Sequence, residues 1–155
     1  MQVPGYLENV DALKKAGVDE VIVFCVNDGA VMDAWATDQK VDQSPNGLLT
    51  MMGDPTSTLT GALGMELTHP GPQGKGLVSR SKRFALYAEN GVVKSLQMSE
   101  GPGPMGEEDP AGDDFPEASC APNMLKQIRA LKGFKSIADE LLPYMRRGSL
   151  YNQCA

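Results

Sequence analysis

Glu89-Asn90-Gly91 stands between two apolar runs, Phe84 to Ala88 and Val92 to Met98. No other stretch narrows the fold as much. A two-residue hairpin turn needs positive φ at both central positions, which Asn tolerates and Gly adopts freely. The pattern predicts an antiparallel pair over residues 84–98. An isolated hairpin is marginal in water, so the rest of the chain must provide more sheet and a cover for its apolar face. Val21 to Val26 is six apolar residues with three valines and an isoleucine. It is too short for a lone helix and lacks the alternation of a half-solvated strand, so it predicts a central strand buried on both faces. Pro45-Asn46-Gly47 is turn chemistry, and Leu48 to Met52, ending at Gly53, predicts a second buried strand.

Helical spacing fills the intervals. Tyr6, Leu7, Val10 and Leu13 share one face, with Lys14 and Lys15 in the last turn and Gly17 placed to stop the helix. Asn27 and Asp28 are candidate caps for a helix whose apolar stripe is Val31, Ala34 and Trp35. Asp54-Pro55 predicts a short helix through Leu59 and Leu63 that stops at Gly64, and residues 68–76 read as loop. Residues 101–116, rich in Gly, Pro, Asp and Glu, offer little apolar surface to offset ordering and read as a mobile acidic loop. Leu125, Ile128, Arg129 and Leu131 predict a helix after Pro122. Ile137, Leu141, Leu142 and Met145 predict a weaker one interrupted by Pro143. Strands alternating with helices, then a hairpin and a closing helix, predict an α/β fold: a mixed sheet flanked by helices on both faces. Thioredoxin-like and small doubly wound folds both satisfy that description.

Composition excludes several roles. At 155 residues and 41% hydrophobic content the chain has the size of one domain. A net charge of -6 gives no basic face for tracking phosphates, so nucleic acid is not expected as a partner. No apolar run approaches the roughly 20 residues that cross a bilayer, and MQVPGYLENV has neither the basic start nor the apolar stretch of a signal peptide. Cys25, Cys120 and Cys154 are odd in number, widely spaced and without CxxC. They suggest neither a disulfide framework nor a zinc site, and a reducing, cytoplasmic setting fits them, with an organelle open if a transit peptide precedes these residues.

Several separated segments, in order and in register, resemble the type II (atypical two-cysteine) peroxiredoxin family. They are VPGYLENVDALKKAGVDEVIVFCVND (Val3 to Asp28), the following helix with Trp35, and GDPTSTLTGALGM (Gly53 to Met65). RSKRFALYAENGVVKSLQM (Arg80 to Met98) and SCAPNML (Ser119 to Leu125) complete the set. The resemblance covers residues 3–131 and divides the chain into a partial peroxiredoxin (redoxin) domain, 1–131, and a C-terminal extension with a helical stripe, 132–155. It implies a thioredoxin-like fold lacking the family's N-terminal strands, and reduction of hydrogen peroxide and alkyl hydroperoxides. Recycling by thioredoxin, glutathione or glutaredoxin and a homodimeric or heterodimeric state are also implied. No cofactor or metal is implied.

The family's chemistry needs a thiolate near neutral pH, which a helix N-terminus and an arginine favour by lowering a thiol from about 8.5. The same positive field stabilises the departing alkoxide. The family places that arginine just before the aromatic residue that opens the hairpin, which here is Arg83 in Lys82-Arg83-Phe84. Its alternative is an ordinary solvated charge at a strand end. The family's Pro-x-x-x-Thr/Ser-x-x-Cys motif, which holds the attacking cysteine, has no counterpart in residues 1–155, so this chain alone is expected to be weak or inactive.

Of the other cysteines, Cys25 reads as core packing in a buried strand, where desolvation raises a thiol. Cys120, at the start of a helix, is a candidate resolving thiol, although the family's resolving cysteine falls about two positions earlier, at Ala118 here. Cys154 suits adventitious disulfide or glutathione adducts. His69 reads as a loop histidine and Trp35 as core first, with a dimer contact as the second reading. Glu107, Glu108, Asp109, Asp113 and Asp114 lack calcium-loop spacing and read as solvated repelling charge. Gly74-Lys75-Gly76 lacks the context of a phosphate loop. A binding module that pairs with a full-length relative is the alternative to an enzyme.

Overall fold

The computed structural model describes residues 2–44, 47–102 and 108–145, with side chains described as far as Gly133. The turn expected at Pro45-Asn46, the acids before Glu108 and the tail with Cys154 lie outside the described residues.

The opening helix is divided. α1 (Gln2–Glu8) and α2 (Val10–Lys15) meet at Asn9, whose φ of -105 and ψ of 13 leave the helical region and whose side-chain amide donates to Gly5 O at 2.8 Å. A polar side chain competing for local carbonyls is the physical reason for the break. The expected apolar face survives it, because Val3, Val10 and Leu13 are all buried. Gly17 follows at φ +75, the left-handed stop that the sequence predicts.

β1 (Val21–Cys25) pairs in parallel with β2 (Leu49–Gly53), Val21 opposite Leu49 and Cys25 opposite Gly53. The expectation of burial on both faces fails for both strands: Ile22 is 50% exposed and Met52 45%. Ile22 and Met52 lie on the same face of this pair, which is open to that extent among the described residues. Between the two strands lies α3 (Gly29–Asp38), capped as expected by Asp28, whose Oδ1 accepts from Val31 N at 2.9 Å. Its buried anchor is Met32, while Val31 is 47% exposed, so the stripe read from Val31 is turned by one residue.

Asp54 does cap the next turn, accepting from Leu59 N at 3.2 Å and from Thr60 N and Oγ1 at 2.8 Å. The helix itself, α4 (Thr58–Ala62), starts later than Pro55 because Ser57 takes a left-handed φ of 55. The loop expected at 68–76 contains a short helix, α5 (Pro70–Gly74). Proline occupies its first turn and the ring Nδ1 of His69 accepts from Gly71 N at 3.1 Å, which gives the histidine a structural task.

β3 (Phe84–Glu89) and β4 (Val92–Met98) form the predicted antiparallel hairpin, turning through Asn90 at φ 51 and Gly91 at φ 75, with a register shift at Tyr87/Ala88. The two strand pairs are separate two-stranded sheets among the described residues. A 3-10 turn at Pro116–Ser119 leads into α6 (Ala121–Met145). α6 is one continuous helix through Pro143 instead of the two expected, and the 131/132 boundary falls inside it. The core joins every layer: Val3, Val10, Leu13, Leu48, Leu49 and Tyr87 pack with Met124, Leu125 and Ile128 of α6.

Candidate functional site

Arg83 sits one residue before β3, and its backbone O accepts from Ser99 N at 2.9 Å, which fixes the start of the strand against the end of β4. Its side chain is one third exposed and forms an ion pair through Nη2 with Asp113 Oδ1 at 2.6 Å. Asp113 comes from the acidic stretch expected to be a mobile, solvated loop, and its carboxylate is exposed as expected, whereas Asp109 in the same stretch is not. Asp109 is 5% exposed. It accepts from Asp113 N at 2.9 Å, Asp114 N at 2.8 Å and Phe115 N at 2.9 Å. Burial alone would push this carboxyl up, but the backbone N–H groups of Asp113, Phe115 and Asp114 outweigh it and hold the carboxyl below its usual range. Gly112, at φ +75, lies against Ser99 O and the Arg83 Cβ, where any side chain would collide. The loop is thus ordered by one buried anion and delivers a second carboxylate to Arg83.

A second guanidinium joins the site. Arg80 donates through Nη1 to Val26 O at 2.8 Å, directly after β1. Cys25 ends β1, half-buried instead of fully packed. Burial pushes its thiol up, as the sequence predicts, while Arg80 and Arg83 pull in the opposite direction. Arg80 therefore stands at the C-terminal end of β1, and the Arg83 charge, paired with Asp113, acts on Cys25 from nearby. A developing negative charge on oxygen or sulfur would be stabilised there.

Cys120 lies elsewhere in the fold, half-buried at the junction of the 3-10 turn and α6, with its Sγ 3.2 Å from Pro116 O. Next to it the Tyr6 hydroxyl donates to Ser119 O at 2.9 Å, and its pKa is pushed up to about 12 by burial and, second, by Cys120. Ser99 and Ser119 share a buried hydrogen bond of 2.6 Å, tying this corner to the end of β4. No hydrogen bond or ion pair joins Arg83 to Cys120 among the described residues. The described cysteines, Cys25 and Cys120, are both free thiols. Trp35 packs half-buried against the core. Among the described residues no helix is long and apolar enough to cross a membrane.

The sequence reading singles out Arg83 and does not single out Arg80, Asp109 or Asp113. Arg80 stands three residues before Arg83, and that proximity is the available signal. Asp113 gave none, because it reaches Arg83 across 30 positions.

The redoxin family model matches residues 1–115, well over half of the chain. Similar proteins include the chloroplastic peroxiredoxin-2E of Arabidopsis thaliana, 37% identical over 100 residues covering 64% of this chain and 40% of that protein. Peroxiredoxin-2C of Oryza sativa subsp. japonica is 39% identical over 99 residues, 64% of this chain and 57% of that one. The chain spans about half the length of the curated relatives it matches. The crystal structure of reduced Prx3 from Vibrio vulnificus, in complex with hydrogen peroxide, superposes with a TM-score of 0.62 at 32% identity. That match covers 83% of this chain and 66% of the other. The chain belongs to the redoxin family and shares the thioredoxin-like fold of the peroxiredoxins.

Proposed function

We propose that residues 1–155 carry the arginine half of a thiol peroxidase site, acting on hydrogen peroxide and alkyl hydroperoxides. The carrying observation is Arg80 bound to Val26 O at the C-terminal end of β1, with Arg83 three residues on, just before β3, and both charges acting on Cys25. In the reaction a thiolate sulfur attacks one peroxide oxygen and the O–O bond breaks. The sulfur becomes a sulfenic acid, and the other oxygen leaves as alkoxide and takes a proton to become water or an alcohol. Arg83 stabilises the thiolate before attack and the alkoxide after it. A second thiol then displaces hydroxide from the sulfenic acid as water, forming a disulfide. Cys120 is the candidate for that resolving step, and thioredoxin, glutathione or glutaredoxin restores the thiols. The free thiols suit a reducing compartment, and we assign the cytoplasm. Residues 1–131 form the catalytic-family domain and 132–155 its extension.

None of the three cysteines stands in a Thr/Ser-x-x-Cys motif, so the 155-residue chain alone turns over slowly. The test is peroxide consumption by the purified chain with a thiol donor. We expect negligible turnover that Cys120→Ser leaves unchanged. Rapid turnover abolished by Cys120→Ser would refute the assignment of Arg83 to a separate attacking sulfur. The separation of the strands into two two-stranded sheets among the described residues favours a second reading, a module that pairs with a full-length relative; size-exclusion with light scattering of the mixture would show the heterodimer.

A further inference from the structure

A cleft of about 430 Å³ opens between α3, the 3-10 turn Val41–Gln43 and β2. Small-molecule sites span about 300–1,000 Å³. The apolar walls come from all three elements: Met32 and Ala36 from α3, Val41 from the turn, Leu49 and Met51 from β2. Met32, Val41 and Leu49 are buried, so packing sets this lining before any ligand arrives. Gly53 closes one end, since a Cβ there would lie 2.6 Å from Asn27 O. Gly29 and Gly47 also border the cleft, and a Cβ on either would meet nothing within 4 Å, which keeps the mouth wide. The polar groups are few. Ser44 Oγ is buried in the lining and makes no hydrogen bond among the described residues. The Ser44 backbone is already used, its N donating to Val41 O at 3.1 Å and its O accepting from Gly47 N at 3.3 Å, so the hydroxyl alone lacks a partner. Buried hydroxyls are rarely left so, and a bound group in the cleft would supply the missing bond. The charged residues of the lining are Asp33 of α3 and Asp42 of the turn, and among the described residues no Lys, Arg or His lies there. Neither carboxylate joins an ion pair of the described residues.

We propose that this cleft binds a small organic cation with an apolar body, an arylalkylamine. The aromatic ring lies between Met32 and Met51, whose thioethers adapt to an irregular ligand and make favourable contacts with ring edges. The ammonium donates one N–H to Ser44 Oγ, and the carboxylates of Asp33 and Asp42 attract its charge. Two acids on facing elements attract a cation more than either alone, and in a chain of net charge -6 no basic residue of the described lining opposes them. The same two charges repel an anion, and a neutral ligand gains nothing from them. None of Arg80, Arg83 and Cys25 lines the cleft, so amine binding there is independent of peroxide chemistry.

The test titrates phenethylamine into the 155-residue chain and follows the methionine methyl signals by NMR. Saturable shifts are expected at Met32 and Met51 and not at Met98 or Met124, which lie outside the cleft. Phenylethanol, with the same body and no charge, should bind about tenfold more weakly. Replacing both acids, Asp33→Asn with Asp42→Asn, should bring the amine down to the affinity of the alcohol, and high salt should produce part of that loss. Ser44→Ala should weaken the amine about threefold to tenfold, because a hydrogen bond to a charged group is lost. Shifts that rise without saturation, or equal affinity for alcohol and amine in the unsubstituted chain, would overturn the site whatever the variants do. Unchanged amine affinity in the Ser44→Ala chain would assign its hydroxyl to water and overturn it as well.

Discussion

Asp109 carries more of the local order than any other described acid in its stretch. Its carboxylate is desolvated and accepts three backbone N–H groups, and the net effect is a pKa below the usual carboxylate range. A group whose folded pKa is depressed stabilises the fold above its unfolded value, about 3.9, and that contribution disappears as pH falls through the folded value. Asp54 acts with the same sign through Thr60 and Leu59, where burial also opposes and the hydrogen bonds prevail. Thermal unfolding should therefore show an acid limb beginning below pH 4 or so. Asp109→Asn should lower Tm by several degrees at neutral pH and flatten that limb, leaving the part due to Asp54. An unchanged pH profile in the variant would show that the loop is held by something other than this anion. The effect should reach the site, since Asp113 owes its position beside Arg83 to the same anchor.

Elements whose cause is local were legible in the sequence, and those fixed by distant contacts were not. The Asn90-Gly91 hairpin was readable because both turn residues must adopt positive φ whatever surrounds them. The Asp28 cap and the Gly17 stop were readable for the same reason. The phase of α3 was not, because Val31, Met32, Ala34 and Trp35 allow two apolar stripes and only the sheet beneath selects one. The structure selects Met32, 2% exposed, over Val31, 47% exposed. Met32→Ala should then cost about 2–5 kcal/mol, and Val31→Ala within about 0.5 kcal/mol of zero, by urea denaturation. Equal costs would return the helix to the phase read from the sequence. The site divides the same way: Arg83 can be singled out beside the hairpin it opens and Arg80 three residues before it, whereas Asp109 and Asp113 act through loop closure that no short-range pattern records.

At the scale of the whole molecule, helices and one core hold together two sheets that do not pair with each other among the described residues. Sequence periodicity cannot register this, since it marks where strands form and is silent on which edges remain vacant. The consequence should be visible within a single strand. Val23 directs its N–H toward β2, while Phe24 directs its own to the opposite edge of β1, although the two residues are adjacent and both half-buried. Native-state hydrogen exchange of the free chain should alternate along β1, slow at Val23 and fast at Ile22 and Phe24, and likewise along β3, slow at Ala85 and fast at Phe84 and Leu86. Burial alone cannot produce that alternation, because side-chain exposure does not follow it at Val23 and Phe24. Uniform protection along both strands would mean that the vacant edges are already paired in solution, and the half-sheet description would fail with it.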